Sequence, residues 1–469
     1  MLKLIFVSVI TLFTAFFAID LKKSEKHETH VEETADKNYQ TYCSGCHGGK
    51  MDAFVDRKWK YGNSPENLYN SIKSGYVDGG MPAFEKTFSD KEIKDLANYI
   101  LLGIKNVDKY TSKEKPLSDT FKTEQNTVKL VNVFSGAKVP WGIAFLPSGK
   151  MLVTDRSGEL YLVDEKTKQN QKVEGVPAVR ASGQGGLMDV ILHPDFAKNN
   201  TIYLSYSKPK EDDSKLQTTA ILKATLKGNQ LENVQDIFVA QPYSTTRHHY
   251  GSRLVFGKDG YLYFSVGERG NEKQNPQDKK NDLGKVHRIK DDGSIPSDNP
   301  FADGKDGQKT IYSYGHRNPQ GMALNPYTGE MWSHEHGPRG GDEINIHVKA
   351  ANYGWPITSY GINYNGTTFT EFTTKAGIEA PIHYWIPSIG PSGMAFVNSK
   401  IYKGWEGNLM VGSLRFEYLN RCVIKDKKII KEELLFKNIG RVREVRMAPN
   451  GYLYIGVEGQ GVFKIMPVS

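Results

Sequence analysis

The sequence predicts a mainly β protein, a six-bladed β-propeller preceded by a small all-α domain. Three observations carry this prediction. A strand–turn–strand unit recurs along the C-terminal part, glycine and aromatic residues are abundant, and two capped amphipathic helices precede the first unit. An eight-stranded β-sandwich is the weaker alternative, because a sandwich does not require self-similar units.

Changes in composition divide the chain into five segments. They are an apolar segment over 1–19, a charged linker over 20–34, the helical domain over 35–106, a second linker over 107–127 and the propeller over 128–469. Both linkers are rich in charged and polar residues and poor in apolar ones, so we expect no packed core in either.

The first segment has the pattern of an export signal. Lys3 supplies a positive charge, and Leu4 to Ile19 form an apolar stretch that is long for a signal peptide and short for a spanning helix. We therefore expect a periplasmic or otherwise exported protein. Whether the segment is cleaved or retained as a membrane tether stays open.

Charge and cysteine content exclude some classes of protein. The formal net charge of +8 is mild for 469 residues, and basic residues are interleaved with acidic ones. This pattern indicates a solvated surface, and we expect no nucleic-acid partner. The three cysteines are too few for a disulfide framework.

The helical domain combines capped helices with a haem-attachment motif. Ser64 followed by Pro65 is a helix start, and Ser89 with Glu92 is a capping box at the start of a second helix. Upstream of both, "TYCSGCHGGK" contains the Cys-x-x-Cys-His signal for covalent attachment of haem c. Together these features are typical of a small cytochrome c.

The motif also predicts the haem ligands. Cys43 and Cys46 would form the thioether bonds, and His47 would be one axial ligand of the iron. Met81 in "DGGMPAF" is the preferred second ligand, because glycines and a proline favour a loop there, whereas Met51 is too close to the motif. His/Met ligation raises the reduction potential of a haem relative to many other haems. The domain is then predicted to be an electron carrier that accepts one electron at a time.

The strand units of the C-terminal part share a small or apolar start, an alternating apolar run and a turn such as "PSG", "KDG" or "PNG". Each is expected to be the inner half of one propeller blade. We count six, which begin at Gly142, Gly186, Ser252, Gly321, Gly393 and Val442.

The most unusual run is polar, from Tyr312 to Pro356. A zinc site would use His334, Glu335 and His336, but these lack a zinc spacing and alternate faces on a strand. A calcium site in the Gly-rich turn "HGPRGGDE" and a salt-bridged blade edge are the other interpretations.

Two basic runs belong to the same domain, "RHHYGSR" and "GRVREVR". In the second, Arg441 and Arg443 are two residues apart, so they share one face of a strand and could hold one anionic ligand between them. With the polar run, they favour an anion-binding pocket that also holds a divalent cation.

"GHRNPQGMA", "EHGPRGGDEIN" and "NYGWP" closely resemble the soluble pyrroloquinoline quinone (PQQ)-dependent aldose sugar dehydrogenases of the glucose/sorbosone dehydrogenase family. The resemblance covers roughly Val128 to Ser469. The N-terminal domain separately resembles class I cytochrome c. The resemblance implies a six-bladed propeller with PQQ and Ca²⁺ on its top face, near the axis.

The resemblance also implies roles for single residues. His249 in "RHHYGSR" corresponds to the catalytic base, and Arg317 and Asn318 correspond to residues that touch PQQ and the sugar. The backbone carbonyls of Gly337 and Pro338 correspond to ligands of the Ca²⁺ that holds PQQ.

Further residues of the implied pocket are polar. By the same resemblance, Asp342 corresponds to a polar residue beside the calcium site, Gln184 to a residue on the substrate side, and Ser388 to a hydroxyl that contacts PQQ. Arg441 and Arg443 correspond to the pair that binds the PQQ carboxylates.

Glu343 and Tyr353 resemble a second calcium site. The chain also departs from the family pattern. Arg415 stands where relatives often have Lys, His248 and Glu268 stand near the base where glucose-type enzymes carry Asp, and His336 replaces a Gln. These departures concern the choice of sugar and the tuning of the base.

The implied reaction is oxidation of an aldose at C1 to its lactone. Electrons would pass from PQQ to haem c and on to an external acceptor, either a soluble cytochrome or the respiratory chain. A calcium-dependent propeller lactonase and a cofactor-free propeller binding module are the alternatives. A lactonase gives no reason for a haem or for an arginine pair that binds a carboxylated cofactor. A binding module could lose His249 and the "HGP" turn, whereas this chain keeps both.

Overall fold

The computed structural model describes residues 33–47, 61–76, 81–105, 118–270, 274–364 and 367–468. These residues fall into two compact units, one over 33–105 apart from Met81 and one over 118–468. The export segment predicted over 1–19 lies outside the described residues. Within them, no helix has the length and apolar character needed to cross a membrane.

The N-terminal unit is helical, as predicted. A helix over 33–38 (α1) continues through a π-helical turn, Tyr39–Cys43, into a short helix, α2 (Ser44–His47). Two longer helices follow, α3 (Pro65–Ser74) and α4 (Asp90–Lys105).

The predicted helix caps are confirmed. The Ser64 hydroxyl accepts a hydrogen bond from the Asn67 amide at 3.1 Å, with Pro65 in the first helical turn. At the start of α4, the Ser89 amide donates to the Glu92 carboxylate at 2.8 Å, and the Glu92 amide lies 3.4 Å from the Ser89 hydroxyl. These contacts satisfy backbone donors that a helix start leaves unpaired.

Aromatic contacts hold the motif-bearing helix in this unit. Tyr42 makes an edge contact with Phe88 at a ring distance of 5.0 Å, and the Tyr99 hydroxyl donates to Asp36 at 2.6 Å. The apolar face of α4 is buried beneath them. The haem motif therefore begins on a helix that is packed against the closing helix of the unit.

The second unit consists of six antiparallel sheets, so the six-bladed propeller is confirmed and the sandwich is excluded. The first two blades are β3 (Pro140–Phe145), β4 (Met151–Asp155), β5 (Leu160–Asp164), β6 (Gln169–Lys172), and β7 (Leu187–Leu192), β8 (Thr201–Pro209), β9 (Gln217–Lys227), β10 (Gln230–Val239). A short helix, α5 (Phe196–Asn199), joins β7 to β8.

The third to fifth blades have the same four-stranded order. Their strands are β11 (Leu254–Phe256), β12 (Leu262–Val266), β13 (Lys285–Ile289), β14 (Ile311–Tyr314); β15 (Pro319–Leu324), β16 (Met331–Glu335), β17 (Asp342–Ile346), β18 (His383–Trp385); and β19 (Pro391–Phe396), β20 (Leu409–Ser413), β21 (Leu419–Lys425), β22 (Lys428–Leu435).

The sixth blade closes the ring with strands from both ends of the domain. It contains the C-terminal strands β23 (Val442–Met447), β24 (Leu453–Val457) and β25 (Gly461–Pro467), which pair in that order. The last of them, β25, pairs with β2 (Thr127–Phe134), and β2 pairs with β1 (Thr120–Lys122). Strand β1 lies inside the predicted linker over 107–127. The predicted C-terminal end of the linker was therefore wrong. The sequence did not reveal this strand because a short, polar edge strand has no apolar pattern of its own.

The six predicted sequence units mark the six inner strands. Each unit begins within two residues of the first residue of β3, β7, β11, β15, β19 or β23, and these strands contact one another in a closed ring. An apolar cluster fills each of the six interfaces between consecutive blades. This burial from both sides explains why inner strands have little polar alternation.

Charged side chains cross the propeller axis. Nη1 of Arg253, before β11, lies 2.5 Å from Glu444 of β23 and 3.3 Å from Asp189 of β7. Arg446 of β23 binds the same two carboxylates at 2.9 and 2.8 Å. These ion pairs connect the inner strands of non-adjacent blades.

Candidate active site

All the propeller residues singled out in the sequence, except Tyr353, lie at one end of the blades. In every blade the inner strand starts at the same face, because four antiparallel strands return the chain to the side from which the next blade begins. Loops before the inner strands and loops between the second and third strands therefore meet there. They carry, among others, Gln184, His249, Arg317, Gly337 and Arg415.

His249 and Glu268 form the most direct pair at this face. Nδ1 of His249 lies 2.6 Å from Oε1 of Glu268, and both side chains are buried. Gln184 accepts a hydrogen bond from the His249 amide at 2.8 Å. His249 has φ of 57°, and a Cβ at position 267 would lie 2.2 Å from the His249 carbonyl, so Gly267 permits this backbone turn.

Burial sets the protonation state of this pair. It lowers the pKa of His249 well below the usual value, and nearby Arg317 lowers it further. Burial raises the pKa of Glu268, whereas Arg317 and the amide of Gly270 oppose that rise. A neutral imidazole that donates Nδ1–H to the carboxylate keeps Nε2 unprotonated. Nε2 makes no hydrogen bond to any residue that the structure describes, so it is available as a base.

Arg317 reaches from the base towards the predicted calcium turn. Its Nη1 donates to the carbonyls of His336 and Gly337 at 3.0 and 2.8 Å, and its guanidinium lies 5.2 Å from the Trp355 ring. Nε of Arg317 is buried and makes no hydrogen bond within the described ranges. A buried donor without a partner is costly, which fits a position that a polar ligand completes.

The turn around Gly337 fits a calcium ion by its chemistry. Asp342 accepts the amides of Gly337 and Gly390 at 2.8 Å each, and the Pro338 carbonyl accepts the Ser388 hydroxyl at 3.3 Å. The carbonyl of Gly337 thus accepts from the Arg317 guanidinium and that of Pro338 from a hydroxyl, next to a buried carboxylate. Oxygen donors of this kind suit Ca²⁺. Burial raises the pKa of Asp342 to about 6.

Asn318 braces the two sides of the pocket. Its Oδ1 accepts the Gly251 amide at 3.0 Å, and its Nδ2 lies 3.5 Å from Nδ1 of His336. His336 in turn binds the Pro391 carbonyl through Nε2 at 2.6 Å. Asn318 therefore links the loop of the base to the calcium turn.

Three arginines supply positive charge on the opposite side. Nη1 of Arg415 donates to the Ser388 carbonyl at 3.2 Å, whereas Arg441 and Arg443 both bind Glu458, at 2.8 and 2.6 Å. The positive groups outnumber the acidic ones here, so the pocket fits PQQ, a cofactor that carries several carboxylates. The structure thus places the predicted arginine pair together.

Partly buried Glu343 and buried Tyr353 are joined through shared neighbours and make no direct hydrogen bond to each other. Asn345 donates to both Glu343 and Glu335, at 3.0 and 3.1 Å, while the Tyr353 ring stacks on His316, which binds Glu335 at 2.9 Å. Burial and Glu335 raise the pKa of Glu343. The second calcium site stays a prediction.

Among the described residues, no group of three or more His, Cys, Asp or Glu side chains could hold a metal ion. The assignment of the Gly337 and Pro338 carbonyls as calcium ligands stays a prediction.

The haem ligands are only partly described. Cys43 ends the π-helical turn, His47 ends α2, and both side chains are partly exposed, as is that of Met81. The side chain of Cys46 and residues 48–60 and 77–80 lie outside the description. The assignment of Cys43, Cys46, His47 and Met81 stays a prediction.

Sequence reasoning missed the role of two acidic residues. Glu268 drew notice only as a departure from the family pattern, and Glu458 in "GVEGQG" drew none. Both occupy loops after the second strand of a blade, the position that also holds Gly337 and Arg415. Asking which acidic residues occupy that loop in each blade would have found them.

Two family profiles match the chain. The profile described as "Glucose / Sorbosone dehydrogenase" matches residues 137–464, and that described as "Cytochrome C oxidase, cbb3-type, subunit III" matches residues 32–100. The first covers the propeller and the second the helical unit, which is therefore a cytochrome c domain.

Individual relatives agree with the first profile. An aldose sugar dehydrogenase of Escherichia coli strain K12 is 41% identical over 320 residues, which are 67% of this chain and 86% of the relative. The apo crystal structure of the soluble aldose sugar dehydrogenase from Escherichia coli has a TM-score of 0.68 at 39% identity, covering 73% of this chain and 100% of that one.

A PQQ-bound aldose sugar dehydrogenase from Streptomyces coelicolor is also similar in structure. It has a TM-score of 0.61 at 28% identity, over 74% of this chain and 100% of that one.

Proposed function

Because the chain belongs to the glucose/sorbosone dehydrogenase family, we propose that it is an exported, PQQ- and Ca²⁺-dependent dehydrogenase that oxidises an aldose at C1 to its lactone. The single observation that carries this proposal is the buried His249–Glu268 pair, which opens towards Arg317 at the face where three further arginines gather. A base beside a pocket for a carboxylated cofactor is what this oxidation requires.

The residues of the chain divide the work between them. Nε2 of His249 accepts the proton of the C1 hydroxyl group, and the Glu268 carboxylate stabilises the imidazolium that results. Arg317 stabilises negative charge that develops at the reacting centre, in a pocket where little water weakens the interaction. Bound PQQ would supply the hydride acceptor for C1, and a Ca²⁺ held by the Gly337 and Pro338 carbonyls would supply a Lewis acid beside it.

The calcium turn and the arginines act before any chemistry. Asp342 fixes the turn so that the carbonyls of Gly337 and Pro338 can bind Ca²⁺, and Arg415, Arg441 and Arg443 bind the cofactor carboxylates. Gln184 and Asn318 hold the loops that border the sugar. Fixing these groups in place lowers the entropy cost of reaching the reactive geometry.

The cytochrome c domain gives the electrons an outlet within the same chain. Two electrons leave the sugar together, whereas a haem accepts one at a time. The haem would therefore be reduced in two successive steps and reoxidised by an external acceptor, a soluble cytochrome or the respiratory chain. An apolar N-terminal segment that is retained after export would tether the enzyme to the membrane.

The first experiment separates this function from its alternatives. The purified chain is reconstituted with PQQ and Ca²⁺ and supplied with a panel of aldoses and a redox dye. Dye reduction that requires PQQ supports the dehydrogenase. Hydrolysis of a lactone without PQQ would instead identify a lactonase. If the chain shows neither activity but still binds a ligand when no sugar is present, it is a binding module.

A second experiment tests the relay. Stopped-flow mixing of an aldose with the reconstituted holoenzyme, without dye, should reduce the haem at a rate that follows sugar oxidation. If the sugar is oxidised while the haem absorbance stays that of the oxidised form, the haem is not the acceptor.

A further inference from the structure

Glu458 joins the two arginines that face the cofactor pocket. It occupies the turn between β24 and β25, and each of its carboxylate oxygens contacts a different guanidinium. Oε1 accepts Nε and Nη2 of Arg443 at 2.9 and 2.6 Å, and Oε2 accepts Nε of Arg441 at 2.8 Å. The Glu458 amide also donates to the Arg441 carbonyl at 3.0 Å.

This carboxylate is ionised, although burial opposes it. The guanidinium groups of Arg441, Arg443 and Arg156 hold the pKa of Glu458 well below its usual range. One negative charge thus stands among three positive ones. The cluster keeps an excess of positive charge, which a carboxylated ligand would neutralise.

Other contacts hold a second edge of each guanidinium. Nη1 of Arg443 donates to Gln320 at 3.2 Å, and Nη1 of Arg441 donates to the Leu414 carbonyl at 3.0 Å. With Glu458 on the other edge, each planar group is held from two directions. Without the carboxylate, two like charges on the same strand face would repel each other and turn away.

We propose that Glu458 is a positioning residue, which orients Arg441 and Arg443 so that both can bind the carboxylates of PQQ. The proposal rests on the proposed function, because it takes PQQ as the ligand. In this proposal Glu458 acts through the two arginines that its carboxylate binds.

The substitution Glu458→Gln distinguishes orientation from simple charge. It raises the net charge of the cluster by one, so electrostatic attraction alone would tighten binding of an anionic cofactor. It also removes the ionic acceptor that both guanidiniums share, so loss of orientation would weaken binding. The two effects change the Kd in opposite directions. We expect the loss of orientation to be the larger one, because a charged bidentate contact is sensitive to geometry.

The test measures PQQ binding to the full chain in the presence of Ca²⁺, by titration and without sugar. We expect the Kd for PQQ to rise at least ~10-fold in Glu458→Gln, the scale of one charge-assisted hydrogen bond. Glu458→Asp keeps the charge but is too short to reach both guanidiniums, and it should show a smaller rise. Should Glu458→Gln fail to fold, Glu458→Asp carries the test.

Glu433→Gln is the matched control. Glu433 binds a similarly buried arginine, Arg421, at 2.6 Å, but it lies on the outer strand β22 away from the pocket. This variant should lose stability and keep the Kd for PQQ.

The outcomes are distinct. A Kd that is unchanged or lower in Glu458→Gln overturns the positioning role, and so does an equal rise in Glu433→Gln. If the wild-type chain itself does not bind PQQ, the proposed function fails and this inference fails with it.

Discussion

His249 and Glu268 lie 2.6 Å apart, and they stand on the two loops that begin and end the first hairpin of the third blade. One side chain comes from the loop before β11 and the other from the loop after β12. The hairpin therefore fixes their separation, and the pair depends on a single blade. We therefore expect substitutions of either residue to affect the same step, transfer of the substrate hydroxyl proton to His249.

Replacing the base should remove most of the activity. In His249→Ala, we expect kcat to fall by ~10²–10⁴, the range for loss of a general base. Dye reduction with saturating PQQ and Ca²⁺ measures this, and PQQ binding should be nearly unchanged. His193→Ala, in the turn after β7, is the control. Near wild-type turnover in His249→Ala would assign the base to another residue.

The pH profile should report the depressed pKa of His249. Because burial lowers this pKa, the imidazole stays neutral, and competent as a base, below the ordinary value of about 6.5. The acid limb of kcat/KM should therefore lie below pH 6.5, the ordinary pKa of the group. A limb at or above that pH would contradict the depressed value.

Glu268→Gln isolates the contribution of the carboxylate. The imidazolium formed during the reaction loses a charged partner worth about 1.5–3 kcal/mol, so kcat should fall by ~10–10²-fold. Turnover equal to wild type would show that Glu268 does not stabilise the protonated base. A thermal melt of the variant separates this effect from unfolding.

Asp342 should control calcium affinity. Its carboxylate accepts two backbone amides at once, and the substitution Asp342→Asn would turn an NH₂ group towards one of them, at a cost of about 1–3 kcal/mol. We expect the Ca²⁺ concentration needed for PQQ binding to rise by ~10-fold or more. Wild-type calcium dependence in the variant would contradict this expectation, and chelation of Ca²⁺ in the wild type gives the reference state.

Breaking the buried charged groups across the axis should cost more stability than breaking an exposed ion pair. Glu444→Gln leaves Arg253 buried with an incomplete partner set, so the free energy of unfolding should fall by about 3 kcal/mol. Denaturant unfolding followed by near-UV circular dichroism measures this. Glu159→Gln, which breaks an exposed pair with Lys172, should change the unfolding midpoint little, because water screens that pair. Equal losses in both variants would exclude a special role for the axial groups.

Met81 should set the reduction potential of the haem. In Met81→Ala the thioether ligand is lost while Cys43 and Cys46 still attach the haem, so the potential should fall by on the order of 0.1 V, a fraction of the ~0.8 V that axial ligands span. A redox titration measures it. Met51→Ala is the control, and a fall in that variant alone would make Met51 the ligand.

Sequence alone predicted the blades because their determinants are local. The inner strands are largely buried, and a glycine turn such as the one at Gly149 or Gly260 follows all of them except β7, so the pattern repeats visibly. The caps at Ser64 and Ser89 are local in the same sense, since each lies three residues from its partner.

The parts that escaped prediction depend on distant contacts. Strand β1 is three residues long and acquires its conformation only by pairing with β2. Glu458 meets Arg443 across two strands of the last blade, and Glu268 meets His249 across a hairpin. Their place after the second strand of a blade could be seen in the sequence, but the arginine or histidine that each one contacts is determined by the fold.

The pairing of β2 with β25 has a consequence for biosynthesis. The ring has no complete sixth blade until Gly461–Pro467 has been made, so a nascent chain holds β2 for almost the entire synthesis of the propeller without its partner. The cytochrome c domain precedes β2 and can fold long before that closure. A stop codon before β25 would expose the edges of β2 and β24 together, and truncated chains should aggregate through them.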